Sequence, residues 1–148
     1  MAKPRILIVE DDEGNFDAIS VYINRLTRSA YELKHVSRVD LALEETINGQ
    51  PTLCIVDAMF GKDPRAGLEL CKTLRIDHRT EHIPIIVVTA TPEKDVYAEA
   101  EEVGDICFHK PYVFAELLTA IRNLIGWGEP EPKPNPADQA SSTPQGAD

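Results

Sequence analysis

The chain of 148 residues carries 25 Asp plus Glu against 15 Lys plus Arg, a formal charge of −10. That balance argues against a nucleic-acid-binding module, which needs a basic face to neutralise phosphates. The last 21 residues hold five of the 11 prolines and no Leu, Ile, Val, Phe, Tyr, Trp or Met, a composition that cannot build a core. Residues 1–127 therefore read as one domain and 128–148 as a disordered, acidic, Pro-rich tail.

The longest apolar runs, 6–9 and 83–88, fall far short of the roughly 20 residues that cross a bilayer. Between Arg5 and the acidic Glu10 the apolar stretch is too short for a signal peptide. A cytoplasmic protein without membrane contact is expected. Cys54, Cys71 and Cys107 form no CxxC pair and stand in apolar settings, which predicts buried reduced thiols rather than a disulfide framework or zinc site.

Arg5-Ile-Leu-Ile-Val9 is a short, β-branched apolar run ending in acid, the pattern of a strand buried on both faces. From Asp12 onward Phe16, Ile19, Ile23 and Leu26 recur at helical spacing, with Asp12 and Glu13 placed to cap the helix start. Tyr31 to Val36 reads as a second strand. Ser37 to Asp40 then resembles a capping box that opens a helix stopping near Gly49. Thr52 to Val56 is the third strand and ends at Asp57; a loop containing Gly61, Pro64 and Gly67 leads to a helix marked by Leu68, Cys71 and Leu74. Ile83 to Val88 is the fourth strand, and Thr91-Pro92 supplies an N-cap and a first-turn proline for a helix ending at Gly104. Ile106 to Phe108 is a short fifth strand, and Phe114, Leu117, Leu118, Ile121, Leu124 and Ile125 form the apolar stripe of the last helix.

Five strand-then-helix units with apolar strands require a parallel sheet covered by helices on both faces, because the crossovers are right-handed. At this length the sheet is open and doubly wound, since a closed eight-unit barrel needs roughly 250 residues. Ligands of such sheets bind beyond the carboxyl ends of the strands. Those ends here carry Glu10 and Asp11, Asp57, Thr89, and Lys110-Pro111. Taken singly each has an ordinary role: helix cap, turn-former, loop bond or solvated charge. Together they place three carboxylates in one pocket, where two charges ~4 Å apart repel by about 4 kcal/mol at an effective dielectric of 20. A hard divalent cation relieves that repulsion, and Mg²⁺ suits one or two carboxylates, a carbonyl and several waters. With Lys110 and the Thr89 hydroxyl added, the set describes a cradle for a phosphoryl group.

Val9-Glu-Asp-Asp12, Ile55-Val-Asp57, Ile83-Pro-Ile-Ile-Val-Val-Thr-Ala90 and Lys110-Pro111 together resemble the response-regulator receiver domain of two-component signalling, over essentially residues 5–125. The resemblance implies a flavodoxin-like α/β fold, a doubly wound five-stranded parallel sheet in the order 2-1-3-4-5. It implies that Asp57 is the phosphoacceptor, taking its phosphoryl group from a sensor histidine kinase or histidine phosphotransfer protein. Asp11 would bind Mg²⁺ directly, Glu10 through water, and Met59 through its carbonyl, while Lys110 and Thr89 would hold phosphoryl oxygens. Asp12 reads as the cap of the first helix, with a one-place shift of register as the alternative. The output would be a changed face of helix four, strand five and helix five, offered to an unidentified downstream protein or used for phosphorelay. A homodimer through that face is left open.

Three features depart from the family pattern. The usual aromatic three residues before the strand-five lysine is replaced by Cys107, with Phe108 beside it and expected on the opposite face. Coupling without an aromatic rotamer is the reading taken, because Lys110-Pro111 fixes the register. The loop after Asp57 is about two residues longer than usual and carries Lys62, Asp63 and Arg65; it is either a tolerated insertion or a contributor to kinase choice. The sequence after the fifth helix resembles no output module, so a stand-alone receiver is expected, its tail either an extended solubilising appendage or a docking segment. His35, His78, His82 and His109 are scattered over different elements, so surface or packing roles are expected for them. An aspartyl-phosphate hydrolase of haloacid-dehalogenase type would need DxD at the end of strand one, where Glu10-Asp-Asp12 stands. A phosphorylation-independent interaction module would be expected to lack Asp57 or Lys110.

Overall fold

Residues Ile6 to Val9 are all buried, so the first strand, β1 (Arg5–Val9), lies inside the molecule with both of its faces covered. Its even residues, Ile6 and Ile8, pack into one apolar cluster and its odd residues, Leu7 and Val9, into another, as the two-residue period of a strand demands. Each such buried aliphatic side chain contributes roughly 1.5–3 kcal/mol relative to exposure. The same alternation recurs along β3 (Leu53–Asp57) and β4 (Ile85–Thr89), whose residues are buried without exception. The remaining strands are β2 (Glu32–Val36) and β5 (Ile106–His109), and both lie at the edges. This computed structural model describes residues 3–126; the expected tail, 128–148, lies outside them.

All neighbouring strands pair in parallel, in the order β2-β1-β3-β4-β5. The helices α1 (Glu13–Thr27), α2 (Val39–Gly49), α3 (Ala66–Ile76), α4 (Lys94–Val103) and α5 (Phe114–Ile125) follow the strands in turn. Ile19 and Ile23 of α1 and Leu117 and Ile121 of α5 join Ile8, Ile55 and Val88 on one face of the sheet. Ala42 of α2, Leu68 and Cys71 of α3, and Val96 and Ala100 of α4 join Val9, Val56 and Val87 on the other. The doubly wound sheet is thus as the strand and helix pattern predicted, and its strand order is the one the resemblance implied. Among the described residues no helix is long and apolar enough to cross a membrane.

Several local signals give way to tertiary contacts. No side-chain cap forms at Ser37: Arg38 is the N-cap of α2 and its guanidinium pairs with Asp40 instead. That helix does end at Gly49, as expected, with Gln50 as the αL residue after it. Helix α4 begins at Lys94 after the N-cap Glu93, so Thr91-Pro92 lies before it; the Thr91 hydroxyl accepts a bond from the Glu93 N–H at 3.1 Å. Strand β4 starts at Ile85, after Pro84, which lacks the N–H a central strand must donate. Gly67, expected in a loop, sits in the first turn of α3. The three thiols are free; Cys54 and Cys71 are buried and Cys107 is half-buried.

In β5, Cys107 pairs with Val87 and packs toward Val96 and Ala100 of α4, whereas Phe108 faces α1 and α5. The two side chains occupy the sides that strand alternation predicts, and Phe108 does not lie on the α4 side.

Candidate functional site

β1, β3 and β4 end side by side, and the residue reached at each end is polar and buried: Glu10 just past β1, Asp57 as the last residue of β3, Thr89 as the last of β4. The chain leaving β5 brings Lys110 to the same edge, before a cis peptide to Pro111. The Lys110 Nζ lies 2.6 Å from Asp57 Oδ2 and 3.8 Å from Glu10 Oε1. One ammonium therefore serves two nearly buried carboxylates. Burial pulls the Lys110 pKa down, but the bond to Asp57 and the charges of Asp57, Glu10 and Asp11 outweigh it and hold the group above its ordinary value. Glu10 is pushed up to about 7, first by burial and then by the Asp57 carboxylate; the bond from the Asp12 N–H and the Lys110 charge offset only part of this.

The loops above are organised by the same acids. The Met59 N–H donates to Asp57 Oδ1 at 3.0 Å, the Gly61 N–H to Asp11 Oδ2 at 2.7 Å, and the Asp12 N–H to Glu10 Oε2 at 3.1 Å. Asp12 itself accepts from the Asn15 N–H at 3.2 Å and is the N-cap of α1, as expected. Asp11, Met59 and Gly61 line an open acidic cleft over Glu10, Asp57 and Lys110. The donors on offer to a cation are all hard oxygens. Among the described residues no group of three or more His, Cys, Asp and Glu side chains closes around an ion. An open, oxygen-only set fits Mg²⁺, which keeps several waters and takes one or two carboxylates, and it does not fit zinc.

Thr89 is fully buried and stands one step from this group: its Oγ1 accepts from the Thr91 N–H at 3.1 Å. Its hydroxyl proton is not spent on that bond, which leaves it able to donate. Of the six residues singled out in the sequence, Glu10, Asp57 and Lys110 meet directly, Asp11 and Met59 line the cleft, and Thr89 ends the neighbouring strand with its hydroxyl bonded to the Thr91 N–H rather than to any of the other five.

Several neighbours were given no part in the strand-end site by the sequence. Gly67 has its N–H on the Ala58 carbonyl at 2.8 Å, directly behind the β3 end. Tyr112 shares a second, largely apolar pocket with Glu10, Asp57 and Lys110, and burial followed by the charges of Glu10 and Asp57 pushes its hydroxyl up to about 12. Arg65, in the long loop after Asp57, reaches Glu99 of α4, which also holds Lys72. His35, set aside as a packing residue, reaches the Glu10 carbonyl. Only spatial proximity connects these residues to the site, and no local motif marks them.

Comparison with known proteins identifies the family and the fold. The family model described as response regulator receiver domain matches residues 6–122. The phosphate regulon transcriptional regulatory protein PhoB of Rhizobium meliloti is 32% identical over 130 residues, covering 86% of this chain and 55% of that protein. Sporulation initiation phosphotransferase F of Bacillus subtilis is 27% identical, over 84% of this chain and 96% of that protein. The chain spans about half the length of the curated transcriptional regulators it matches, 49% for RpaA of Synechocystis. Among solved structures, the receiver domain of sensor histidine kinase PA1611 from Pseudomonas aeruginosa, described with magnesium coordinated in its active-site cleft, superposes with a TM-score of 0.71 at 23% identity, covering 84% of this chain and 99% of that one.

Proposed function

The chain belongs to the response regulator receiver domain family, and from that membership we propose that it accepts a phosphoryl group on Asp57 from a phosphohistidine of a sensor kinase or phosphotransfer protein. The observation that carries this reading is the contact of Lys110 Nζ with Asp57 Oδ2 at 2.6 Å, beside buried Glu10, at the carboxyl ends of parallel strands.

Asp57 is the nucleophile. A carboxylate oxygen forms the new O–P bond as the P–N bond of the donor breaks, and the imidazole leaves with the electron pair. The residues positioned for the cation are Asp11 and Asp57, with Glu10 acting through water and Met59 through its carbonyl; bound there, Mg²⁺ supplies neutralisation of the charge on the transferring group. Lys110 supplies a second positive charge at a fixed place, so the carboxylate and the incoming oxyanions are held together without reorganisation. Thr89 donates its hydroxyl to a phosphoryl oxygen. Attack by water on phosphorus then releases inorganic phosphate and restores the Asp57 carboxylate.

Signalling requires that the phosphoryl group bind one conformation better than another, since a ligand shifts an equilibrium only by that difference. Thr89 and Lys110 lead directly into the α4, β5 and α5 region, which is the face proposed to change for a downstream protein. Residues 1–127 are proposed as the unit that carries all of this.

The test is to incubate the full chain with Mg²⁺ and acetyl phosphate and to measure intact mass beside Asp57→Asn. A gain of one phosphate that needs both Mg²⁺ and Asp57 is expected. A folded protein that neither gains phosphate nor binds beryllofluoride would instead be a phosphorylation-independent module.

A further inference from the structure

Glu10 is the hinge of the acidic turn between β1 and α1, and both polar groups of its backbone are held by the end of β2. Its N–H donates to the Val36 carbonyl at 3.0 Å, which continues the parallel ladder. Its carbonyl oxygen lies 2.7 Å from His35 Nε2. A carbonyl can only accept, so Nε2 carries the proton and His35 is the donor. The half-buried His35 ring is stacked face to face on Phe16 of α1, with centroids 4.3 Å apart and planes within 5°. Phe16 is itself anchored by its N–H to the Asp12 carbonyl at 3.1 Å. The imidazole is thus fixed on one side by the helix that follows the acidic turn, and with its free edge it fixes the first residue of that turn.

β2 is an edge strand whose Glu32 and Lys34 side chains are exposed, and strand alternation turns Leu33 and His35 to its other face, toward α1. A plain apolar side chain would fill that face, yet the His35 ring bonds the residue whose side chain lies 3.8 Å from Lys110 and whose neighbour, Asp11, lines the cleft. We propose that His35 is a positioning residue for the cation site: its Nε2–H bond to the Glu10 carbonyl sets the backbone of the 10–12 turn, and so the placing of the Glu10 and Asp11 carboxylates toward Mg²⁺. The inference rests on the function proposed above, and it adds a residue outside the strand-end motifs to the cation site. A bond of this type behind a ligand is worth about 10- to 100-fold in metal affinity.

The experiment separates the bond from the packing. His35→Phe keeps a flat ring for Phe16 and removes the donor; His35→Gln keeps an N–H donor at similar reach and removes the ring. The full chain and both variants are titrated with Mg²⁺ alone by calorimetry, with urea unfolding of the metal-free proteins alongside. His35→Phe is expected to bind Mg²⁺ about tenfold or more weakly, whereas His35→Gln retains most of the affinity. Phosphorylation of His35→Phe by acetyl phosphate is expected to recover at saturating Mg²⁺, because the chemical groups are intact. If His35→Phe does not unfold cooperatively, His35→Leu takes its place. Equal Mg²⁺ affinity in the folded donor-less variant overturns the positioning role, and so does an equal loss in the Phe and Gln variants, which would make the ring's packing the whole effect. Failure of the unsubstituted chain to bind Mg²⁺ overturns the cation site itself and this inference with it.

Discussion

The Asp57 carbonyl oxygen occupies the place a side chain on Gly67 would need: a Cβ there would lie 1.9 Å from that oxygen and 2.8 Å from its carbon. The first turn of α3 is therefore pressed against the backbone of the proposed phosphoacceptor. The close approach is closed by the Gly67 N–H on the Ala58 carbonyl at 2.8 Å.

Gly67→Ala must push α3 away from β3 or displace Asp57. The expected cost is that of overpacking a filled site, about 1–3 kcal/mol, read as a lower urea midpoint at unchanged slope. The displaced carboxylate should also be phosphorylated more slowly. An unchanged midpoint together with an unchanged rate would mean that the turn relaxes freely and that the close approach has no bearing on the site.

What could be read from residues in line was read well, and the reason is physical. The apolar runs Ile6–Val9 and Ile85–Val88 fix a buried parallel sheet because nothing else lets every residue of a strand be covered. Acids and a lysine at successive strand ends converge because a parallel sheet brings all carboxyl ends to one edge. The errors fell where a local signal competes with tertiary contacts. Ser37 had the spacing of a cap, but Arg38 and Asp40 took each other and the helix began without one. Gly67 looked like loop punctuation, and its reason is a strand ten residues earlier. His35 and Glu99 act across the fold on Glu10 and Arg65, and no spacing rule along the chain reports such a bond.

Glu10 makes cation binding pH-dependent. Its pKa of about 7 in the metal-free protein, raised by burial and by Asp57, means that below pH 7 it is mostly protonated and a cation must displace that proton. Magnesium affinity is therefore expected to rise with pH, by about tenfold between pH 6 and pH 8 for one linked proton, and calorimetry in buffers of differing ionisation enthalpy should detect proton release at the acid end. Glu10→Gln should abolish the slope. A slope equally steep in that variant would assign the proton to another group.

The last prediction concerns the tie between the long loop and α4. Glu99 accepts from both Arg65 and Lys72, and these two bonds, ahead of the opposing effect of desolvation, hold its pKa at about 2, below the ordinary 4.5. A carboxylate with a depressed folded pKa contributes stability that is fully present above its unfolded value and is lost as pH falls through the folded one. The window is thus from about pH 4.5 down to about pH 2. The group is half-buried and still in reach of solvent screening, so the effect is modest and should shrink further in salt. Urea unfolding across this window is expected to show a shallower acid loss in Glu99→Gln than in the unsubstituted chain, with the two curves converging at the acid end. Because Arg65 is the N-cap of α3, two residues before Gly67, the same variant should loosen α4 from the loop behind Asp57. Faster amide exchange in residues 94–103 at neutral pH is the expected sign, and unchanged exchange there would leave Glu99 as a charge pair without a part in joining the two elements.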